Sequence, residues 1–233
     1  MNNIDIELIK TSQSLYEGFN EFIMSDDLKV FGKLLARTLL FNEVKNIPGD
    51  IVECGVFKGS GIFTFLKLKR YFCPNSYKKV IGFDIFNSEE LINNLHDIDK
   101  LTMSELFKSR KFAHEPEYKD FLELKLLNNG FQPHEFSLIM GDVSKTTPIF
   151  ADENPGFKIS LLYLDLDLEE PTYDVLNAFW DKISINGIVV FDEYAYGKWS
   201  ESKGVDRFFA DKQVEIESLN YLCPTAVIRK KNV

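Results

Sequence analysis

The sequence is poor in the residues that build most zinc, redox and disulfide sites. It holds three histidines and three cysteines in 233 residues. Cys54, Cys73 and Cys223 are odd in number and form no CxxC pair. That excludes a disulfide framework and a zinc knuckle, and reads as reduced thiols in a cytoplasm. His96, His114 and His134 lie in or just after one central helical stretch and read as surface residues. No apolar run approaches the ~20 residues a membrane helix needs, so no membrane partner is expected. The opening MNNIDIELIKTSQS lacks the charged-then-apolar order of a signal peptide, which again points to the cytoplasm. Positive charge is short as well. Lys and Arg number 27 against 36 Asp and Glu, a net −9, the wrong sign for a nucleic-acid groove. Neither GxGxxG nor a P-loop pattern occurs, against a nicotinamide fingerprint and a nucleotide-triphosphate cradle.

What is present is an alternation of short apolar runs and helical patterns. Residues 5–24 and 27–45 carry apolar residues at helical spacing and predict two leading helices, an extension over 1–46. Strands are predicted at GDIVECG (49–55), KKVIGFD (78–84), EFSLIMGD (135–142), KISLLYLD (158–165) and GIVVFDEY (187–194). Helices are predicted over 60–72, from Pro171 to about 183, and over 203–211. Residues 88–129 read as a polar, mostly helical insert with a break near Pro116. Two last strands, near 214–219 and 224–230, leave no room for a helix between them. No repeat or Pro/Gly/Ser linker divides the chain, so one α/β domain spanning 1–233 is expected. Its plan is a doubly wound, mostly parallel seven-stranded sheet, Rossmann-like, with an antiparallel terminal hairpin and an N-terminal helical extension. That is the plan of a class I methyltransferase.

Acids stand at the ends of these strands: Glu53, Asp84, Asp142, the pair Asp165 and Asp167, and the pair Asp192 and Glu193. In such sheets ligands bind beyond the carboxyl ends of the strands. The turn ECGVFKGSG allows close backbone approach to a ligand at a helix N-terminus. Asp84, ending the second strand, is placed to accept the ribose hydroxyls of an adenosine. Two roles are open to Asp142, contact with an adenine amino group or capping of the next turn. Asp167 is two residues from Asp165, so on extended chain both side chains point one way. Its other reading is a cap for the helix near Pro171. Tyr194, Tyr196 and Trp199 form either an aromatic wall for a sugar ring or ordinary packing. Lys203 and Arg207 either meet a phosphate or are surface charges.

IVECGVFKGSG, VIGFDIF, LLYLDLDLEEPTYDVL and NGIVVFDEYAYGKWSESKGVDRFF, in this order over about 49–209, resemble the macrocin O-methyltransferase family. The resemblance implies an S-adenosylmethionine-dependent enzyme that methylates a hydroxyl of a sugar or nucleotide sugar, with a divalent cation, magnesium. It implies Asp165, Asp192 and Glu193 as metal ligands and Asp167 as general base. The cofactor is expected along Glu53, Gly55, Phe57, Lys58, Gly59 and Ser60, with Asp84 and Asp142. Two departures stand out: the family's Asp-Gly-Asp is Asp165-Leu166-Asp167 here, and its paired aspartates are Asp192 and Glu193. The unmatched insert 88–129 is expected to shape the acceptor site, and the leading helices to cover it or to pair subunits in a homo-oligomer. The same fold and cofactor acting on a small phenol or a phosphorus-linked group, and a non-catalytic S-adenosylmethionine-binding protein, are the alternatives.

Overall fold

The computed structural model describes residues 3–95, 97–109 and 117–232. His96, His114 and the break expected near Pro116 lie outside the described residues; His134 is exposed. The strands are β1 (Asp50–Cys54), β2 (Val80–Asp84), β3 (Phe136–Met140), β4 (Ile159–Leu164), β5 (Ile183–Phe191), β6 (Ile216–Ser218) and β7 (Ala226–Arg229). They form one sheet in the order β3-β2-β1-β4-β5-β7-β6. β1 to β5 are parallel, and β7 runs antiparallel to both β5 and β6. The helices are α1 (Asn3–Met24), α2 (Leu28–Val44), α3 (Ser60–Phe72), α4 (Ser88–Asn94), α5 (Asp97–Ser109), α6 (Glu117–Asn128), α7 (Val143–Glu153), α8 (Glu169–Phe179) and α9 (Glu201–Phe209). No helix among the described residues is long and apolar enough to cross a membrane.

Helix α7 has no counterpart in the sequence reading. Its Lys-Thr-Thr-Pro stretch combines β-branched residues with Pro148, and both weaken the helical signal. Tertiary packing overrides that weakness. Asp142 caps the helix by accepting the Ser144 N–H at 3.0 Å, and Val143 and Ala151 are buried in the core.

Side chains alternate across the central strands, so each strand feeds two cores. Leu162 and Leu164 of β4 join Val52, Val189, Phe179 and Val205 on the α7–α8–α9 face. Leu161 and Tyr163 join Ile51, Phe65, Leu40 and Phe41 on the α2–α3 face. Burial on both faces explains the near-continuous apolar runs. Glu53 shares the second face, between Ile51 and the α3 N-terminus, and pairs with Arg37 of α2 at 3.0 Å.

The carboxyl edge of the sheet is drawn tight. The Asp165 N–H donates to the Cys54 carbonyl at 2.9 Å, and the Asp192 N–H to Leu164 at 3.0 Å. A Cβ on Gly55, whose φ is +92°, lies 1.9 Å from the Asp165 carbonyl oxygen. A Cβ on Gly61 lies 1.7 Å from Oε1 of Glu53. Non-glycine residues take left-handed backbone after four strands: Phe57 (φ 50°), Phe86 (47°), Asp167 (65°) and Ala195 (62°). Such conformations cost of order 1–3 kcal/mol each and cluster where function constrains the chain.

Gly55→Ala should cost more than about 2 kcal/mol, because backbone meets backbone with nothing flexible to yield. Gly156→Ala, whose Cβ meets nothing within 4 Å, should change stability by less than about 1 kcal/mol. Urea midpoints of the two variants check the contrast.

Candidate active site

Four of the strand-end acids meet at the C-terminal edges of β4 and β5. Asp165 and Asp167 follow β4, and Asp192 and Glu193 follow β5. Two lysines of α2, four residues apart and so on one helix face, answer them. Lys33 Nζ lies 2.7 Å from Asp165 Oδ2 and 2.8 Å from Asp192 Oδ2. Lys29 Nζ lies 2.8 Å from Glu193 Oε1. Arg37, one further turn along, pairs with Glu53, and its guanidinium sits 4.9 Å from the Tyr163 ring centroid. The Tyr163 hydroxyl donates to Asp192 Oδ1 at 2.6 Å, and the Cys223 thiol donates to Asp192 Oδ2.

Sequence reading missed Lys29, Lys33, Arg37, Tyr163 and Cys223. Basic residues at i, i+4 and i+8 on an otherwise apolar helix were the available signal for the first three. Cys223 had none, being joined to Asp192 only by the fold.

Burial sets the charge states of this edge. It lifts the Asp167 carboxyl well above its ordinary range, and the charges of Asp165, Glu193 and Asp192 push the same way. Burial, with Asp165 beside it, raises Asp192 to about 6. Burial opposes ionisation of Asp165 too, but the Lys33 ammonium overcomes it and holds that carboxyl below its usual range. Glu53, buried despite Arg37, is raised to about 7. Glu201 is raised by burial well above the carboxylate range; its Oε1 accepts the Glu193 N–H at 3.0 Å.

Two cavities open on the acids. The smaller, about 180 Å³, is lined by Gly55, Phe57, Asp84, Leu91, Met103 and Asp142, among others. The larger, about 500 Å³, lies under α1 and α2 and is lined by Phe22, Val30, Leu34, Ser60 and Trp199. Lys33, Phe57, Asp165 and Asp167 line both. A still larger cleft of about 810 Å³ sits around Pro48, Trp180 and Lys230, with none of the strand-end acids on its wall.

The expected cofactor residues divide accordingly. Gly55, Phe57, Asp84 and Asp142 come together on the smaller cavity, while Ser60 faces the larger. Glu53 is buried beneath α3, Gly59 is the left-handed N-cap of α3, and Lys58 is exposed. Asp84 accepts the Phe57 N–H and the Phe86 N–H, both at 2.8 Å, one on each oxygen. It therefore clamps two turns at the mouth of the smaller cavity.

Several sequence alternatives are decided by contacts. The strand does not continue to Asp167, which turns left-handed after β4. Its carboxylate is not a helix cap either: the N-cap of α8 is Leu168, and the Glu169 N–H donates to Ser200 Oγ. Arg207 is held by Glu170 at 2.8 Å and Glu169 at 3.1 Å and stacks on Tyr173, away from both cavities. Lys203 is exposed. Tyr194 packs on the core and donates to Asp206, so that of Tyr194, Tyr196 and Trp199 the larger cavity is lined by Trp199.

Glu53 and Asp192 take up protons on folding, since their folded values of about 7 and about 6 exceed the ordinary carboxylate value near 4. The stability they contribute is complete below about pH 4 and is lost as pH rises through about 6 to 7. The metal-free chain should therefore melt at a lower temperature at about pH 8 than at about pH 5, as read by scanning calorimetry.

No curated protein matches the chain. Among solved structures, CalS11, titled a TDP-rhamnose 3′-O-methyltransferase of calicheamicin biosynthesis, is 27% identical, with a TM-score of 0.67 over 84% of this chain and 78% of that one. A second CalS11 structure aligns over 94% of this chain and 85% of that one, with 25% identity and a TM-score of 0.74. The O-methyltransferase NovP, 21% identical over 86% of this chain and 80% of its own, shares the fold with a TM-score of 0.69. The family description of the macrocin-O-methyltransferases (TylF) matches residues 34–230, most of the sequence. With that span matched from α2 to β7, the chain belongs to the macrocin-O-methyltransferase family and is an S-adenosylmethionine-dependent O-methyltransferase.

Proposed function

We propose that the chain methylates a hydroxyl of a sugar or nucleotide sugar, assisted by a divalent cation held by Asp165, Asp192 and Glu193. The observation that carries this reading is the position of Asp167 on the wall between two cavities. The cavity beside Asp84 and Asp142 takes S-adenosylmethionine, with Asp84 on the ribose. The cavity under α2 takes the acceptor. The sugar class rests on CalS11, a TDP-rhamnose 3′-O-methyltransferase. Among the described residues, the insert 88–129 lends Leu91 and Met103 to the cofactor cavity, whereas α1 and α2 wall the acceptor cavity. Acceptor selection is thereby assigned first to the leading helices. We place the reaction in cytoplasmic carbohydrate biosynthesis, in one domain spanning 1–233.

The donor set suits a hard cation such as magnesium. Oδ2 of Asp165 and Oδ2 of Asp192 converge on a single cationic atom, and Oε2 of Glu193 is buried with no partner. When bound there, a dication would lower the pKa of the acceptor hydroxyl and fix its direction. The chain's own residues do the rest. The acceptor oxygen attacks the methyl carbon in line with the breaking bond to sulfur. Asp167 takes the hydroxyl proton. Its carboxylate receives no hydrogen bond among the described residues, so its lone pairs are available, and its raised pKa makes it a stronger base once ionised. Trp199 offers a face for a sugar ring.

Asp167→Asn should lower kcat by roughly 10²–10⁴-fold while leaving S-adenosylhomocysteine affinity within about twofold. Steady-state rates with a panel of nucleotide sugars and small phenols, alongside calorimetry, check both the base and the acceptor class. Turnover at the wild-type rate would remove Asp167 from the reaction, and full activity after exhaustive chelation would remove the cation.

The leading helices also suggest a homo-oligomer. Leu15, Phe19, Met24 and Leu28, along α1 and at the start of α2, are 72%, 57%, 77% and 68% exposed, apolar surface that a monomer rarely leaves bare. Light scattering should give at least twice the 26.9 kDa chain mass at micromolar concentration, and a monomeric mass would count against pairing.

A further inference from the structure

The acids assigned to a cation already hold one, and it belongs to the chain. Lys33 Nζ stands 2.7 Å and 2.8 Å from the facing oxygens of Asp165 and Asp192. A magnesium ion bound to those oxygens needs bonds of about 2.0–2.1 Å along the same two directions. Ammonium and dication cannot share that point, because the carboxylates offer it one pair of facing oxygens and the two cations repel. Lys29 holds Oε1 of Glu193 in the same manner, one helical turn earlier on α2.

The rest of α2 shows what these contacts fasten. Its buried residues are Gly32, Ala36, Arg37, Leu40, Phe41 and Val44, and all but Gly32 lie in its middle and C-terminal half. Leu28, Val30, Phe31, Leu34 and Leu35 are each more than 40% exposed. Apart from Gly32, which packs close to the Cys223 carbonyl and Tyr221, the first turns of α2 reach the sheet edge through two ammonium groups. Phe22, Val30 and Leu34 on those turns wall the larger cavity.

We propose that Lys33 is a positioning residue that serves as the resident counter-ion of Asp165 and Asp192, and that a divalent cation enters by exchanging with it. The exchange releases α1 and the first half of α2 from the sheet edge, so that the cation binds before the acceptor cavity opens. The proposal rests on the reading of Asp165, Asp192 and Glu193 as cation ligands. It differs from that reading in predicting that the lysine opposes the cation.

Manganese binding to the full chain, followed by the loss of the free-ion electron paramagnetic resonance signal, separates the two. Lys33→Met should bind manganese roughly tenfold or more tightly than wild type, since the competing charge is gone. Lys33→Arg, which keeps the charge, should stay close to wild type. Asp165→Asn should bind weakly. Amide hydrogen exchange supplies a readout independent of turnover. Manganese should speed exchange over residues 12–34 in wild type, whereas Lys33→Met should exchange fast there without metal. Lys33→Met binding manganese no more tightly than wild type, with Asp165→Asn still weakened, overturns the exchange and spares the ligand assignment. Absence of manganese binding in wild type and Lys33→Met alike, with S-adenosylhomocysteine affinity intact in both, overturns the ligand assignment and the exchange together.

Discussion

Repulsion among carboxylates at one sheet edge is the constraint around which this protein is organised. Asp165, Asp167, Asp192 and Glu193 are delivered to the ends of two adjacent parallel strands. Strands in such a sheet sit ~4.8 Å apart, so the charges have no means of separating. Burial makes the crowding worse by removing water. The fold meets it with cations from a single helix and with the neutral donors Tyr163 and Cys223 on Asp192. What is left unanswered is felt at Asp167 and Glu201, whose carboxyls burial and the neighbouring charges push well above the ordinary carboxylate range.

The same constraint accounts for the second face of the sheet. Glu53 ends β1 beneath α3 and takes Arg37, whose guanidinium also faces Tyr163. Tyr163 reaches through to Asp192. A single chain of contacts therefore runs from the α3 N-terminus, through α2 and β4, to the acid-bearing edge. A Cβ at Gly61, where this chain begins, would displace the Glu53 carboxylate from its place beside Arg37.

The parallel sheet was legible because strands buried on both faces leave apolar runs, and tight turns leave glycines, that need no alignment to read. The strand-end acids were legible for the same reason: they follow the last apolar residue of each run. Helix α7 was not, since Pro148 and its threonines mask a helix that only core packing stabilises. Lys29 and Lys33 were hidden by their setting. On an apolar helix a lysine reads as a solvated charge, and nothing local says that α2 lies over β4 and β5. Asp167 was singled out by its spacing to Asp165, although the backbone there makes a left-handed turn and not the extended strand that spacing implied.

The left-handed residues after β1, β2, β4 and β5 bear on how such an enzyme diversifies. Phe57, Phe86, Asp167 and Ala195 hold a backbone that few side chains tolerate, and the strand-end acids sit at or beside these turns. Sequence drift there is penalised twice, in folding and in chemistry. The larger cavity's outer wall, with Phe22, Val30 and Leu34, belongs to helices that contribute no strand to the sheet. Substrate range can therefore be retuned in a library confined to those positions, leaving the reacting edge untouched.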